Sequence, residues 1–337
     1  MASTHERFDT YVGTDDGVLQ LNGGARSLGL SGHRIGAVHA FRGPSGDTIL
    51  LAGTYGEGLR CSEDGGASWQ PVEGLSAPAA RMIGPDPLAE GAVLCGTEPA
   101  RLFRSVDGGA TWTGMTGIEQ LPEREGWFLP YSPRAGALRN VHALPGRPGH
   151  LVASVEVGGM LRTTDGGGSW SVEEIAGNDD IHQVTGDPRD PDRLWASLGY
   201  AALPTRQRSP DRHLGGVARS DDGGRTWTVL HTDYTRSTIP VPGSPDLLLS
   251  GPAPKVGEAG RIVVSSDNGE TWRPAAGGVM TPMPDMVELF VPAPDGSVFA
   301  VCSAGRLLRA DPESWQWTSA LPPNAEAKAV SVTFLPV

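Results

Sequence analysis

Three features of this 337-residue sequence predict an all-β propeller of seven four-stranded blades. An eight-residue signature occurs five times: SEDGGASW (62–69), SVDGGATW (105–112), TTDGGGSW (163–170), SDDGGRTW (220–227) and SSDNGETW (265–272). Its tryptophans lie 43, 58, 57 and 45 residues apart, the period of a blade built from four short strands. Between the copies run short alternating segments punctuated by 47 glycines and 29 prolines, with no long helical period.

The signature, [ST]-x-D-x-G-x-[ST]-W, sits between two alternating stretches and so predicts a hairpin turn. The carboxylate can accept N–H groups of its own loop, and the glycine two positions later can take positive φ. The tryptophan supplies a large apolar face between neighbouring sheets. None of the five copies has the alternating acids and closing glutamate of an EF-hand loop, so calcium binding is not expected.

Taken in order, the blades are expected over residues 8–34 with 328–337, 35–78, 79–122, 138–178, 179–235, 236–280 and 281–322. The seventh range carries a shortened signature at Asp311 to Trp315. The first range lacks an inner strand of its own, whereas the C-terminal stretch Ala329 to Phe334 matches the inner-strand pattern. That tail is expected to complete the first blade and close the ring, leaving no open sheet edge and one domain spanning 1–337.

Composition bounds the function. Net charge is −12 with no basic run or basic–aromatic interleaving, which argues against nucleic acid and anionic membrane surfaces. No apolar run is long enough to span a membrane, and the first residues lack the apolar core of a signal peptide. Cys61, Cys95 and Cys302 fall in predicted strands without metal-type spacing, as expected of buried thiols in a reducing compartment, so a cytoplasmic protein is expected. No nucleotide or flavin motif occurs.

In such a ring the inner strands surround a channel, and loops from many blades converge on one rim. Two rim segments are enlarged, 115–139 and 199–216. They offer Trp127, Tyr131 and Arg139 in the first, and Tyr200, Arg206 and His213 in the second. Loop carboxylates Glu57, Glu98 and Glu156 should approach the same rim, where burial could raise a pKa for acid–base work. Glu98, Glu156, Tyr131 and Arg139 are therefore the catalytic candidates. Glu57, Trp127, Tyr200, Arg206 and His213 are the candidate ligand contacts.

Aligning the inner strands places His39, Met82, His142, His182, Glu288 and Ser331 at one register position. His39, His142, His182 and Glu288 converging on the channel could hold one divalent transition metal with open positions for substrate. The same register also fits a polar lining without metal, or histidines bonded between blades.

The repeated signature resembles the Asp box of BNR repeats, found in sialidases, sortilin-type receptors, photosystem assembly factors and many bacterial propellers. The resemblance spans nearly the whole chain and implies the propeller fold. Sialidases carry an arginine triad, a Tyr–Glu nucleophilic pair and usually an Arg-Ile-Pro segment. Here that segment is missing, and Arg7, Arg34 and Arg81 are unaligned, which speaks against exo-sialidase activity. Single-domain bacterial BNR propellers are similar in Trp127-Phe128-Leu129-Pro130, Glu156-Val157-Gly158-Gly159, the run from Asp187 to Leu194 and Asp180-Ile181-His182. That similarity implies a site location and no particular reaction. The expected function is binding of a small molecule at the central channel, with metal-dependent lyase, hydrolase or oxidative chemistry as its enzymatic form. The alternative is a non-catalytic scaffold that holds a protein partner on its rim.

Overall fold

The computed structural model describes residues 7–43, 45–127, 129, 136–199, 215–323 and 325–337. Seven antiparallel four-stranded sheets stand in a ring. From the channel outward, the second blade runs Ile35–Arg42, Thr48–Thr54, Leu59–Ser62 and Gln70–Pro71. The inner strands of the next five blades are Ala79–Pro85, Ala137–Ala143, Ile181–Asp187, Tyr234–Val241 and Val287–Pro292. In the first blade the C-terminal strand Ala329–Pro336 lies innermost, paired antiparallel with Phe8–Thr14 from Phe8↔Pro336 to Thr14↔Ala329. The two ends of the chain therefore zip the ring shut. The sixth blade's inner strand starts at Tyr234, two residues inside the range expected for the fifth.

Each signature forms the turn that its residues dictate. In the third blade Asp107 accepts hydrogen bonds from Ser105 Oγ (2.8 Å), Thr111 N (3.0 Å) and Thr111 Oγ1 (2.5 Å), while Ser105 Oγ accepts from Gly109 N (2.8 Å). The other four copies repeat this pattern around Asp64, Asp165, Asp222 and Asp267. Gly109 has φ 89°, a left-handed conformation that a β-carbon would strain. The shortened seventh copy closes differently, through Trp315 N donating to the Asp311 carbonyl (2.9 Å).

Apolar side chains between adjacent sheets hold the ring. Leu94 of the third blade packs with Leu138, Leu151, Ala153 and Trp170 of the fourth, all buried. Burying a leucine of this kind stabilises the fold by about 2 kcal/mol. Close approach of blades demands small residues on second strands: a β-carbon on Gly53 would lie 2.6 Å from the Ala80 β-carbon. Cys61, Cys95 and Cys302 are free and buried, and burial pushes the Cys302 thiol up to about 12. Among the described residues, no helix is long and apolar enough to cross a membrane.

Candidate functional site

All seven inner strands carry a register shift near the same end of the strand. The extra residues are Gly36, Arg81, Arg139, His182, Glu288 and Val330, with Arg236 and Ser237 together in the sixth blade. A β-bulge re-aims a side chain out of the regular alternation. Here the shift gathers Arg81, Arg139, His182, Arg236 and Glu288 around one cavity of about 610 Å³ at the channel mouth, which Arg34, Tyr55, Gln183, Cys302 and Ser303 also line.

Second-strand glutamates fix two of the arginines. Arg81 Nη1 donates to Glu98 Oε2 at 2.6 Å, and Arg139 Nε donates to Glu156 Oε2 at 2.7 Å; both pairs are 17 residues apart in the chain. Arg236 Nη1 donates to Glu288 across the boundary between the sixth and seventh blades. Arg34 is exposed and is, among the described residues, the cavity guanidinium without a carboxylate partner. Arg34 and Arg81 lie over the half-exposed Tyr55 ring, 5.2 and 4.8 Å from its centroid. Cation–π contacts of this kind preorganise a guanidinium without consuming its hydrogen-bond donors.

Behind the wall lies a buried cluster. Glu156, Asp180 and His182 bring one ligand atom each within 4.8 Å of one another, a grouping of His, Cys, Asp or Glu found once among the described residues. His182 Nε2 stands 3.0 Å from the Tyr234 hydroxyl and 3.5 Å from Asp180 Oδ1. The Tyr234 hydroxyl in turn accepts from Arg236 Nε at 2.7 Å. Burial first, and then the ionised Glu156, pushes the Asp180 carboxyl up to about 7. Burial alone would raise Glu156 too, but Arg139, helped by Arg236 and Arg81, brings it well below the usual carboxylate range. Burial holds His182 neutral against the opposing pull of Glu156. Two neighbouring carboxyl groups are thus shifted in opposite directions.

The expected metal quartet does not assemble. His182 and Glu288 line the mouth, but His39 and His142 lie three positions past the bulges of their own strands. His39 stacks on Phe41 at 5.6 Å, and His142 Nε2 packs against Gly186 of the next blade. Burial lowers both imidazoles to about 4. The alignment across blades slipped because a bulge inserts a residue into the period-two pattern.

The remaining candidates divide. Glu98, Glu156 and Arg139 belong to the mouth and its supporting shell. Trp127 is buried against Val155 and Gly158, with Arg124 over its ring, and so forms part of the packing under the rim instead of a ligand platform. Glu57 is a surface group paired with His33 (3.1 Å) and Arg60 (2.6 Å), away from the cavity lining. Tyr131, Tyr200, Arg206 and His213 lie outside the described residues. Sequence reasoning missed Tyr55, Tyr234 and Arg236 and gave Arg34 and Arg81 no place. The equal spacing of Arg81 to Glu98 and Arg139 to Glu156 was the available signal.

No protein-family model matches the chain, and no curated protein sequence matches it. Solved structures do resemble it. A GH74 xyloglucanase from Xanthomonas campestris superposes with a TM-score of 0.65 at 18% identity, covering 94% of this chain and 53% of that one. YCF48 from Cyanidioschyzon merolae gives 0.59 at 13%, covering 93% and 98%. YCF48 bound to D1 peptide gives 0.58 at 18%, covering 92% and 94%. This chain spans about half the length of the xyloglucanase, 53%, and nearly all of the YCF48 chains. At these identities the likeness establishes the seven-bladed propeller fold.

Proposed function

We propose that the channel mouth binds a small ligand bearing an oxyanion, a carboxylate or a phosphate, with Arg34 as its principal electrostatic contact and Arg81 beside it. The observation that carries this reading is the imbalance of charge around the cavity. Four guanidiniums, Arg34, Arg81, Arg139 and Arg236, face three glutamates, Glu98, Glu156 and Glu288, each already paired with one of them. Arg34 is left over, so the described mouth carries positive charge on a chain whose net charge is −12. A planar guanidinium offers two parallel N–H donors, which match carboxylate or phosphate geometry. Met82, Ile83, Leu289 and Val332, from three inner strands, add apolar lining for the rest of the ligand.

Thermal-shift screening against mono- and dicarboxylates, phosphate esters and inorganic phosphate tests the reading. Stabilisation by a member of that panel, lost in Arg34→Ala, is the expected result. Arg34 is exposed, so its replacement should fold normally. A panel that never stabilises the protein, or does so equally in the variant, refutes it.

A second reading is a peptide or protein partner held on the same rim. It is favoured by the similar propeller solved with a D1 peptide, whose length this chain nearly matches. On that reading no small anion suffices, and binding needs rim surface beyond the cavity.

A further inference from the structure

We propose that Glu156, Asp180 and His182 form a binding site for one divalent transition-metal ion at the floor of the channel mouth. The inference deepens the oxyanion-site reading and rests on it for the role of the ion, which would face the bound ligand; binding of the ion itself stands on separate observations.

The first is an orphaned atom. Asp180 Oδ1 is buried and has no hydrogen-bond partner, in a residue only 5% exposed. A buried carboxylate oxygen without a donor is costly and needs a proton or a cation. The second is geometry. His182 Nε2 lies 3.5 Å from that oxygen, beyond a good hydrogen bond, and two atoms so separated subtend about 113° at an ion held by bonds of about 2.1 Å. That is close to the tetrahedral angle. Glu156 brings a third donor within 4.8 Å of the other two.

The surroundings fit a held ligand set. Arg139 orients Glu156. The Tyr234 hydroxyl, held by Arg236, contacts the same His182 Nε2 at 3.0 Å and must release that nitrogen for the ion to bind. Asp180 N donates to Asn178 Oδ1 at 2.8 Å, which pins the backbone of the strand entry. Gly199 leaves the space open: a β-carbon there would stand 2.2 Å from Asp180 Oδ2 and 2.5 Å from His182 Nε2. Partners of this kind commonly orient ligating groups.

Electrostatics cut both ways. Arg81, Arg139 and Arg236 disfavour a cation; Arg81 and Arg236 are paired with Glu98 and Glu288, outside the ligand set, while Arg139 shares Glu156 with the ion. One imidazole and two carboxylates, with no thiolate, suit zinc or manganese better than copper(I) or an iron–sulfur cluster. His182 lines the cavity, so open positions on the ion would face the ligand.

The test is titration calorimetry of EDTA-treated full-length protein with zinc chloride and, separately, manganese chloride, without any anionic ligand. One equivalent of at least one ion is expected to bind, with affinity falling at least 30-fold in both Asp180→Asn and His182→Gln. Circular dichroism and melting of the metal-free variants establish that they are folded; Asn is isosteric with the protonated aspartate and should preserve the packing. No stoichiometric binding of either ion, or binding unchanged by both substitutions in folded protein, overturns the proposal. The Arg34→Ala comparison with oxyanions, run on metal-free protein after the EDTA has been dialysed away, is read independently, so failure of the ion leaves the anion result interpretable.

Discussion

Gly199→Ala is the sharpest perturbation the structure offers. The residue is absent from the positive-φ positions, so alanine can adopt its backbone, and its N–H bond to the Asp180 carbonyl (2.8 Å) survives. The new methyl would nevertheless fall 2.2 Å from Asp180 Oδ2 and 2.5 Å from His182 Nε2, about 1 Å inside van der Waals contact. One or both side chains must give by that distance. Overpacking of this kind costs about 1–3 kcal/mol. With unfolding entropy of about 2.1 cal/mol/K per residue, this chain has roughly 0.7 kcal/mol/K at its midpoint, so Tm should drop by about 1.5–4 °C. Displacing the cluster by about 1 Å should also weaken zinc or manganese binding at least tenfold. Differential scanning calorimetry and ion titration read the two effects. Gly24→Ala is the control, because a β-carbon there meets nothing within 4 Å. An unchanged Tm and unchanged ion affinity in Gly199→Ala would refute the account of a tightly built cluster.

Other consequences are equally open to measurement. Glu98→Ala should destabilise the fold by about 3 kcal/mol in denaturant titrations, because it strands Arg81, whose side chain is only 5% exposed. The double variant Arg81→Met/Glu98→Leu should recover most of that loss; if it is no better than Glu98→Ala alone, the pair is not the cause. Hydrogen bonds from Thr111 and Ser105 hold the Asp107 carboxyl at about 2, below its usual 3.8. Asp222 is likewise held at about 2: burial opposes the shift, and bonds from Thr226 and Ser220 outweigh it. Their stabilising contribution is fully present above about 4 and is lost as pH falls toward 2. Asp107→Asn and Asp222→Asn should therefore lower Tm at pH 7 while flattening its dependence between pH 4 and 2; an unaltered slope would contradict the turn chemistry. Removing the strand Ala329–Pro336 should abolish cooperative unfolding, since it strips Phe8–Thr14 of its inner partner. A truncated chain that melts normally would show that ring closure is dispensable.

The ring was legible because its signals are local. Five copies of an Asp–Gly–Trp turn set the period, and the unmatched strand from Ala329 revealed the closure. Register was harder. Period-two alternation breaks wherever a bulge adds a residue, so His39 and His142 were aligned with His182 although they stand three positions past the bulges in their own strands. Arg81 holds the bulge position itself, and the choice of Met82, one residue on, hid it. Arg236 was obscured because the sixth inner strand carries Pro240 and a two-residue irregularity. Charge pairing between first and second strands survives such slips: Arg81 with Glu98 and Arg139 with Glu156 keep the same separation. Tyr55 and Tyr234 matter through contacts across blades, which no single repeat encodes.

The central claim is that the bulged ends of the inner strands build an oxyanion site at the channel mouth. A crystal structure with the most stabilising carboxylate or phosphate ester bound tests it most directly. The account predicts the oxyanion between the Arg34 and Arg81 guanidiniums beside Tyr55, with the remainder of the ligand against Met82, Ile83 and Leu289. A ligand seated between the third and fourth blades against His142 and Pro85, away from Arg34, or on the outer turn around Asp64, would contradict it.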